Sequence, residues 1–437
     1  MKSKLALLAV ACALCSVCLG QWSEPIDVGV DTALHYVDDF QFAMAGGDTL
    51  WAFYSVDNGW PDMSCAFAHW SMGDSWSDAR VLVADTFVYC LAAGTDAQDR
   101  VWLSWYNGTY YTDDDSWGIC TRVHDSLGWG PERQALPGPG SVGQSFAVGK
   151  QGDWYMGICV QYAPLPGLCT SALYSMFQGD TWIWPHSIAE GSGSPLFIDY
   201  GLPLMVARPD SGLWAVCSHS TYGVSEILID QVLPDTIRRL ASLDCGGSYA
   251  ATGDSSGHMW IVYLDSSGAL WSATFSQGGM IDQRIVTTDR RWSAPMVCTD
   301  PLGWVWTCWT RPDTILVVSY NRGNGWSPPE AVTESYSIAA DITSDRNGRI
   351  YVGLHDRRGR CLTCYRSLRP SIEETANGDG RMATGAATVV RSLPPGAVAF
   401  DAMGRRVVSA KPGVYFVRNE GRGEGDLGRA RKVVVQR

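Results

Sequence analysis

Through the middle of the chain, apolar and polar residues alternate with a period of two, in short runs bounded by glycine-bearing turns. Trp102-Leu-Ser-Trp105, Trp260-Ile-Val-Tyr263 and Trp306-Thr-Cys-Trp309 are examples. This period predicts β-strands and excludes a helical solenoid. An aromatic anchor recurs among them: Leu50-Trp51, Val101-Trp102, Trp154-Tyr155, Leu213-Trp214, Met259-Trp260, Val305-Trp306 and Ile350-Tyr351, at intervals of 51, 53, 59, 46, 46 and 45 residues. A tight turn precedes the anchor, clearest as Asp254-Ser-Ser-Gly257, Asp300-Pro-Leu-Gly303 and Asp345-Arg-Asn-Gly348. Aspartate bonds its own backbone two residues on, and glycine supplies the positive φ that closes such a turn. The first four repeats keep the turn in weaker form, and in the second Asp99 stands where glycine is expected. A later turn leads to outer strands headed by tryptophan: Trp76-Ser-Asp-Ala, Trp129-Gly-Pro-Glu, Trp182-Ile-Trp-Pro and Trp326-Ser-Pro-Pro. The fourth and fifth repeats lack that tryptophan.

Units of this length with several short strands each predict a β-propeller. Each unit exposes two apolar faces that it cannot bury alone, so neighbours must stack. One buried aromatic hides about 150–250 Å², worth roughly 4–6 kcal/mol of gross burial. The seventh repeat has no tryptophan-headed strand, whereas the start of the mature chain, Trp22-Ser-Glu-Pro-Ile-Asp-Val-Gly29, has one without a repeat. Inserting it as the last outer strand leaves no bare seam. The expectation is an all-β, seven-bladed β-propeller over residues 21–370, closed by its N-terminal strand.

The flanks differ from this body. Residues 1–20 read as a secretory signal: Lys2 and Lys4, then an apolar run from Leu5 to Leu19, then Gly20. No later stretch is long and apolar enough to cross a bilayer as a helix. Residues 371–388 read as a Gly/Thr/Ala-rich linker. From residue 389 onward ten Lys or Arg face four Asp or Glu, while residues 21–388 carry a net −20. Only 18% of residues are charged and 46% are hydrophobic, which excludes a disordered chain, and the acidic body excludes a nucleic-acid surface. Eleven cysteines follow the signal, without regular spacing, and read mostly as buried thiols. No metal or cofactor motif is present: Cys361-Leu-Thr-Cys364 has no second pair, and Asp113-Asp114-Asp115 lacks the alternation of a calcium loop.

The strands Asp401-Ala-Met-Gly-Arg-Arg-Val407, Pro412-Gly-Val-Tyr-Phe-Val-Arg418 and Arg431-Lys-Val-Val-Val435 give residues 389–437 a resemblance to the C-terminal sorting domain of type IX secretion cargo. That resemblance implies a small β-sandwich-like domain recognised by the type IX machinery, export across an outer membrane, and a secreted or cell-surface destination. The Gly-Trp-Ser-Pro strands and Asp/Gly turns resemble the sialidase-like and BNR-type propellers over about 350 residues. That family's Asp box spaces Asp and Gly by one residue, at the third turn of a blade. Here the Asp-x-x-Gly turn precedes the second strand, and no Arg-Ile-Pro segment opens the domain, so no catalytic residue carries over.

In a propeller, the loops from outer to next inner strand and from second to third strand gather at one mouth. The first set brings Tyr36, Tyr89, Tyr200, Tyr249, Arg290, Trp292 and Tyr336, and the second brings Arg311, His355 and Asp356. Aromatic faces beside carboxylates and guanidinium groups suit sugar rings, although inner-strand aromatics also fill wedge-shaped gaps. The leading expectation is a monomeric, non-catalytic, exported propeller that binds a glycan or surface protein at this mouth. The alternatives are a sialidase-like or lyase-like glycan-cleaving enzyme and a structural surface module. Many loop carboxylates are available, and the sequence selects no catalytic pair among them.

Overall fold

The computed structural model describes residues 22–24, 26–28, 36–46, 49–57, 63–69, 75–83, 88–96, 98–107, 118–137, 141–148, 154–161, 170–178, 181–183, 186–189, 198–200, 204–208, 212–221, 224–233, 236–288, 294–311, 315–334, 338–355, 362–367, 388–390, 397–400, 406–407, 413–419 and 431–435. The predicted signal lies outside them, as does the predicted linker except Thr388, which begins a strand. The chain divides into two compact units, Met1–Ser371 and Ile372–Arg437.

The first unit is an all-β propeller. Six blades are complete in themselves, where the repeat predicts seven. Their inner strands are Tyr36–Ala45, Val88–Thr95, Ser141–Val148, the pair Ile198–Tyr200 and Leu204–Ala207, Tyr249–Gly253, and Met296–Thr299. Each continues outward through antiparallel strands taken from the same stretch of chain. The remaining sheet is composite: Ile338–Ser344, Ile350–His355 and Leu362–Arg366 are completed by Ile26–Asp27 from the other end of the unit. The outer strand expected over Trp22–Gly29 is thus reduced to two residues. Ile26 pairs with Cys364 and Asp27 with Thr363, while Trp22 bridges to Ser367 and the Ser23 N–H donates to Arg366 O at 2.8 Å. Inner strands touch their neighbours in chain order. That of the composite sheet touches both the sixth and the first, so the ring closes.

The outer tryptophans explain how the sheets adhere. Each crosses into the sheet before its own. Trp129 of the second sheet meets Trp51 and Phe53 of the first edge-on, with ring centroids 5.9 Å apart in both pairs. Trp182 of the third donates its indole N–H to Thr121 of the second at 3.1 Å, and Trp326 of the sixth donates to Ser272 of the fifth at 2.8 Å. Trp76 of the first lies against a cluster holding Val28, Tyr351 and Cys364 of the composite sheet. Trp22 follows the same rule: it is buried among Cys298, Trp306, Cys308 and Val318 of the sixth sheet. Edge-on aromatic contacts add about 0.5–1.5 kcal/mol each beyond burial. The fourth and fifth sheets, without such a tryptophan, carry nine-residue outer strands instead, Thr236–Asp244 and Gly279–Thr287, joined where Arg238 donates to Gln277 O at 3.0 Å.

The turns before the anchors form one motif. Asp300 Oδ1 accepts from the Leu302 and Trp304 N–H groups, and its Oδ2 accepts the Trp306 indole N–H at 3.0 Å. Asp254 does the same for Ser256, His258 and Trp260. Asp345 does so for Asn347, Arg349 and the Tyr351 hydroxyl, and Asp96 for Gln98, Arg100 and Trp102. Glycine follows three residues on with φ of 83°, 77° and 74° at Gly257, Gly303 and Gly348. In the fourth sheet Arg208 stands in for the aspartate, its guanidinium 4.8 Å from the Trp214 ring centre.

Cys120, Cys217, Cys245, Cys298, Cys308 and Cys364 are buried thiols outside any disulfide. In the second unit, Thr388–Val390, Ala397–Phe400, Arg406–Val407, Gly413–Asn419 and Arg431–Val435 form one five-stranded sheet, with the first and last strands parallel. The strands among the described residues make one layer, where a sandwich-like pair is expected.

Candidate functional site

The strand register shows where the expected mouth residues fall. Tyr36 pairs with Asp57, Tyr89 with Tyr106, Tyr200 with His219 and Tyr249 with Tyr263. All four therefore lie at the same end of their sheets, opposite the turns before the anchors. His355 ends the second strand of the composite sheet, and Arg311 follows the second strand of the sixth, also at this end. Arg290, Trp292, Tyr336 and Asp356 lie outside the described residues.

The Tyr249 side chain is tied into the framework. The Tyr249 hydroxyl accepts the Ser218 N–H at 2.9 Å, joining the fifth sheet to the fourth. Burial pushes its phenol above the usual range. Tyr249→Phe leaves the Ser218 N–H without this acceptor and is expected to cost about 1–2 kcal/mol in a denaturant titration, with ligand binding unchanged. Beside it, His219 Nδ1 lies 2.9 Å from Glu226 Oε1, and the Ser242 hydroxyl donates to the other Glu226 oxygen. These hydrogen bonds from Ser242 and His219 hold the Glu226 carboxyl below its ordinary value against its burial. The Arg311 N–H donates to Ile315 O at 2.9 Å and closes its hairpin.

The opposite end holds a cavity of about 490 Å³ between the first and second sheets. It is lined by Ala45, Thr49 and Trp51 of one hairpin, Gln98 to Val101 of the next, and His124 to Ser126. The His124 ring sits 4.8 Å from that of Trp51. Asp99 has φ 62°, the one positive φ outside glycine among the described residues. Its carboxylate lies over Gly46, where a methyl group would collide with it, and accepts from Arg346 of the composite sheet at 2.5 Å. Arg100 points back at Asp96, 2.6 Å away.

Sequence reasoning placed the binding chemistry at the other end and passed over this cavity. Its signal was the aspartate in a glycine position. It also passed over a copy of the turn motif at the mouth end, Asp265-Ser-Ser-Gly268-Ala-Leu-Trp271, in which the Trp271 indole donates to Asp265 Oδ2 at 2.8 Å. The spacing there is the same as in the three turns that were recognised.

Burial pushes the Asp96 and Asp265 carboxyls up, but hydrogen bonds overrule it and leave both below the ordinary value of 3.8. For Asp96 the donors are the Arg100 N–H, the Trp102 indole and the Arg100 guanidinium; for Asp265 they are Ser267, Trp271 and Ala269. A carboxyl depressed on folding contributes stability above its unfolded pKa and loses it as pH falls through the folded value. Thermal unfolding temperatures are therefore expected to hold above about pH 4 and to fall steadily below it, with Asp96→Asn flattening that decline.

Among the described residues, no group of three or more His, Cys, Asp or Glu is arranged to hold a metal ion, and no helix is long and apolar enough to cross a membrane.

No protein-family model and no curated protein matches the chain. Solved structures do. A catalytically inactive virginiamycin B lyase from Staphylococcus aureus with quinupristin is 12% identical, covering 80% of this chain and all of that one, with a TM-score of 0.48. The intramolecular trans-sialidase from Ruminococcus gnavus is 10% identical over 79% of this chain and 97% of its own, at 0.46. A Hadza microbial sialidase is 13% identical over 70% and 73%, at 0.45. At these values the likeness carries no activity across.

Proposed function

We propose that this chain is an exported β-propeller that binds a glycan or a surface protein without transforming it. In this reading the composite sheet acts as a seventh blade, and the mouth residues Tyr36, Tyr89, Tyr200, Arg290, Trp292, Tyr336, Arg311, His355 and Asp356 form the contact surface. The observation that carries it is how two of the carboxylates described at the mouth end are used. Asp265 accepts two backbone N–H groups and the Trp271 indole, Glu226 accepts the Ser242 hydroxyl and lies against His219 Nδ1, and both are held below their ordinary values. A general acid needs the opposite, a carboxyl raised toward the working pH. Asp230 is raised by burial, opposed by Arg239, but it is sealed inside the fourth sheet with 1% of its surface exposed. Carboxylates fixed in this way make a rigid scaffold for recognition.

The basic C-terminal unit supplies the address: we read it as the signal for type IX export, leaving the acidic propeller secreted or at the cell surface. The test is a glycan-array screen of the full chain, alongside Trp292→Ala and Tyr336→Ala and a turnover assay on the glycans that bind. Array binding lost in both variants, with bound glycans recovered intact, is the expected result. Released sugar would replace the binding reading with the glycan-cleaving one, and binding indifferent to both variants would remove the mouth as the site.

A further inference from the structure

We infer that the cavity between the first and second sheets, at the end opposite the mouth, is a second binding site, for a neutral saccharide. Its volume of about 490 Å³ falls within the range of small-ligand sites. What marks it as built is Asp99. Its turn is the same as those at Gly257, Gly303 and Gly348, where glycine takes the positive φ without strain. An aspartate there adopts a conformation that L-residues avoid, and such strain persists where a side chain must be aimed. The side chain is aimed across the seam, over Gly46, whose missing Cβ makes the room.

The chemistry selects the ligand. Two carboxylates, Asp99 and the lining Asp125, and two guanidinium groups, Arg100 and Arg346, reach solvent here, with Asp99 and Arg346 2.5 Å apart; Asp96, which holds Arg100 at 2.6 Å, is buried. Two accessible groups of each sign do not favour a charged guest. They offer carboxylate acceptors beside guanidinium donors, which suit vicinal hydroxyls that each donate one bond and accept another. The half-buried His124 ring, backed by the buried Trp51, contributes aromatic surface for the C–H face of a sugar ring, and Thr49, Gln98 and Ser126 add further hydrogen-bonding groups.

The experiment titrates the full chain by calorimetry with neutral gluco-, galacto- and manno-oligosaccharides, and with spermidine as a cationic comparison. Three variants run beside it: Asp99→Gly, His124→Ala and, on the exposed outer strand of the fifth sheet and outside both sites, Met280→Ala. At least tenfold weaker saccharide binding is expected in the two cavity variants and unchanged binding in Met280→Ala. The unfolding temperature of Asp99→Gly is expected to equal or exceed that of the parent chain, because glycine relieves the turn; this separates lost contacts from lost fold. Spermidine binding that Asp99→Gly abolishes, saccharide binding that ignores both cavity variants, or no binding of any neutral oligosaccharide would each overturn the inference. Failure of the mouth reading shows instead as array binding that Trp292→Ala and Tyr336→Ala leave intact.

Discussion

Trp22→Ala is expected to cost the propeller about 3–5 kcal/mol, the range for emptying a buried tryptophan site. Trp22 is 8% exposed and lies in a cluster that joins the sixth sheet to the composite one. Its loss leaves a cavity at the seam where the two ends of the unit meet, and only Ile26 and Asp27 pair there as a strand. For a unit of this size the unfolding temperature is expected to fall by about 4–7 °C, read by circular dichroism or calorimetry. Trp129→Ala, which removes an equivalent wedge inside the continuous chain, is expected to cost less. Its sheet keeps a five-residue outer strand, Arg133–Pro137. Equal losses from the two would mean that the seam is no more fragile than any other junction.

The second large effect is at Asp300, which is 4% exposed and accepts three hydrogen bonds. Asp300→Ala strips the acceptor from two turn N–H groups and from the indole of Trp306, itself 7% exposed. Unsatisfied buried donors cost about 1–3 kcal/mol each, so a total near 3–5 kcal/mol is expected in a denaturant titration. Asp300→Asn keeps one oxygen acceptor and is expected to lose about half as much. Asp265→Ala removes a partner set of the same kind from a more exposed turn and should fall below both. If Asp300→Ala is no worse than Asp265→Ala, the carboxylate is not the keystone of the hairpin.

The repeat was legible because its physics is local. The turn from Asp254 to Gly257 is written in adjacent residues, and the period-two alternation of Trp306 to Trp309 declares a strand by itself. Trp22 could be assigned to the last sheet by counting, since one tryptophan-headed strand was missing there and one was left over. Its length could not be assigned. Pairing depends on how far Val28 and Trp22 sink into the neighbouring sheets, and that is a property of packing. The outer tryptophans were visible as markers, but their crossing into the preceding sheet is set by the three-dimensional stagger of the ring. The candidate site was legible in part. Tyr36, Tyr89, Tyr200 and Tyr249 do share one end of the sheets, because strand order alone fixes that. That Tyr249 spends its hydroxyl on Ser218 could not be read, and neither could the cavity that Trp51, Asp99 and His124 line from separate hairpins. Asp99 in a glycine position was the one local trace of it.

The closure of the ring by the N-terminal strand is the claim on which the placement of every inner-strand end depends. Register sets Ile26 directly opposite the native, buried and free Cys364. Ile26→Cys therefore places two thiols across one antiparallel pair. After folding under mild oxidation, peptide mapping by mass spectrometry is expected to find residues 26 and 364 joined by a disulfide, and to lose that link in Ile26→Cys/Cys364→Ser. An Ile26→Cys chain that folds with Cys364 still free, or with residue 26 joined to a different cysteine, would contradict the account.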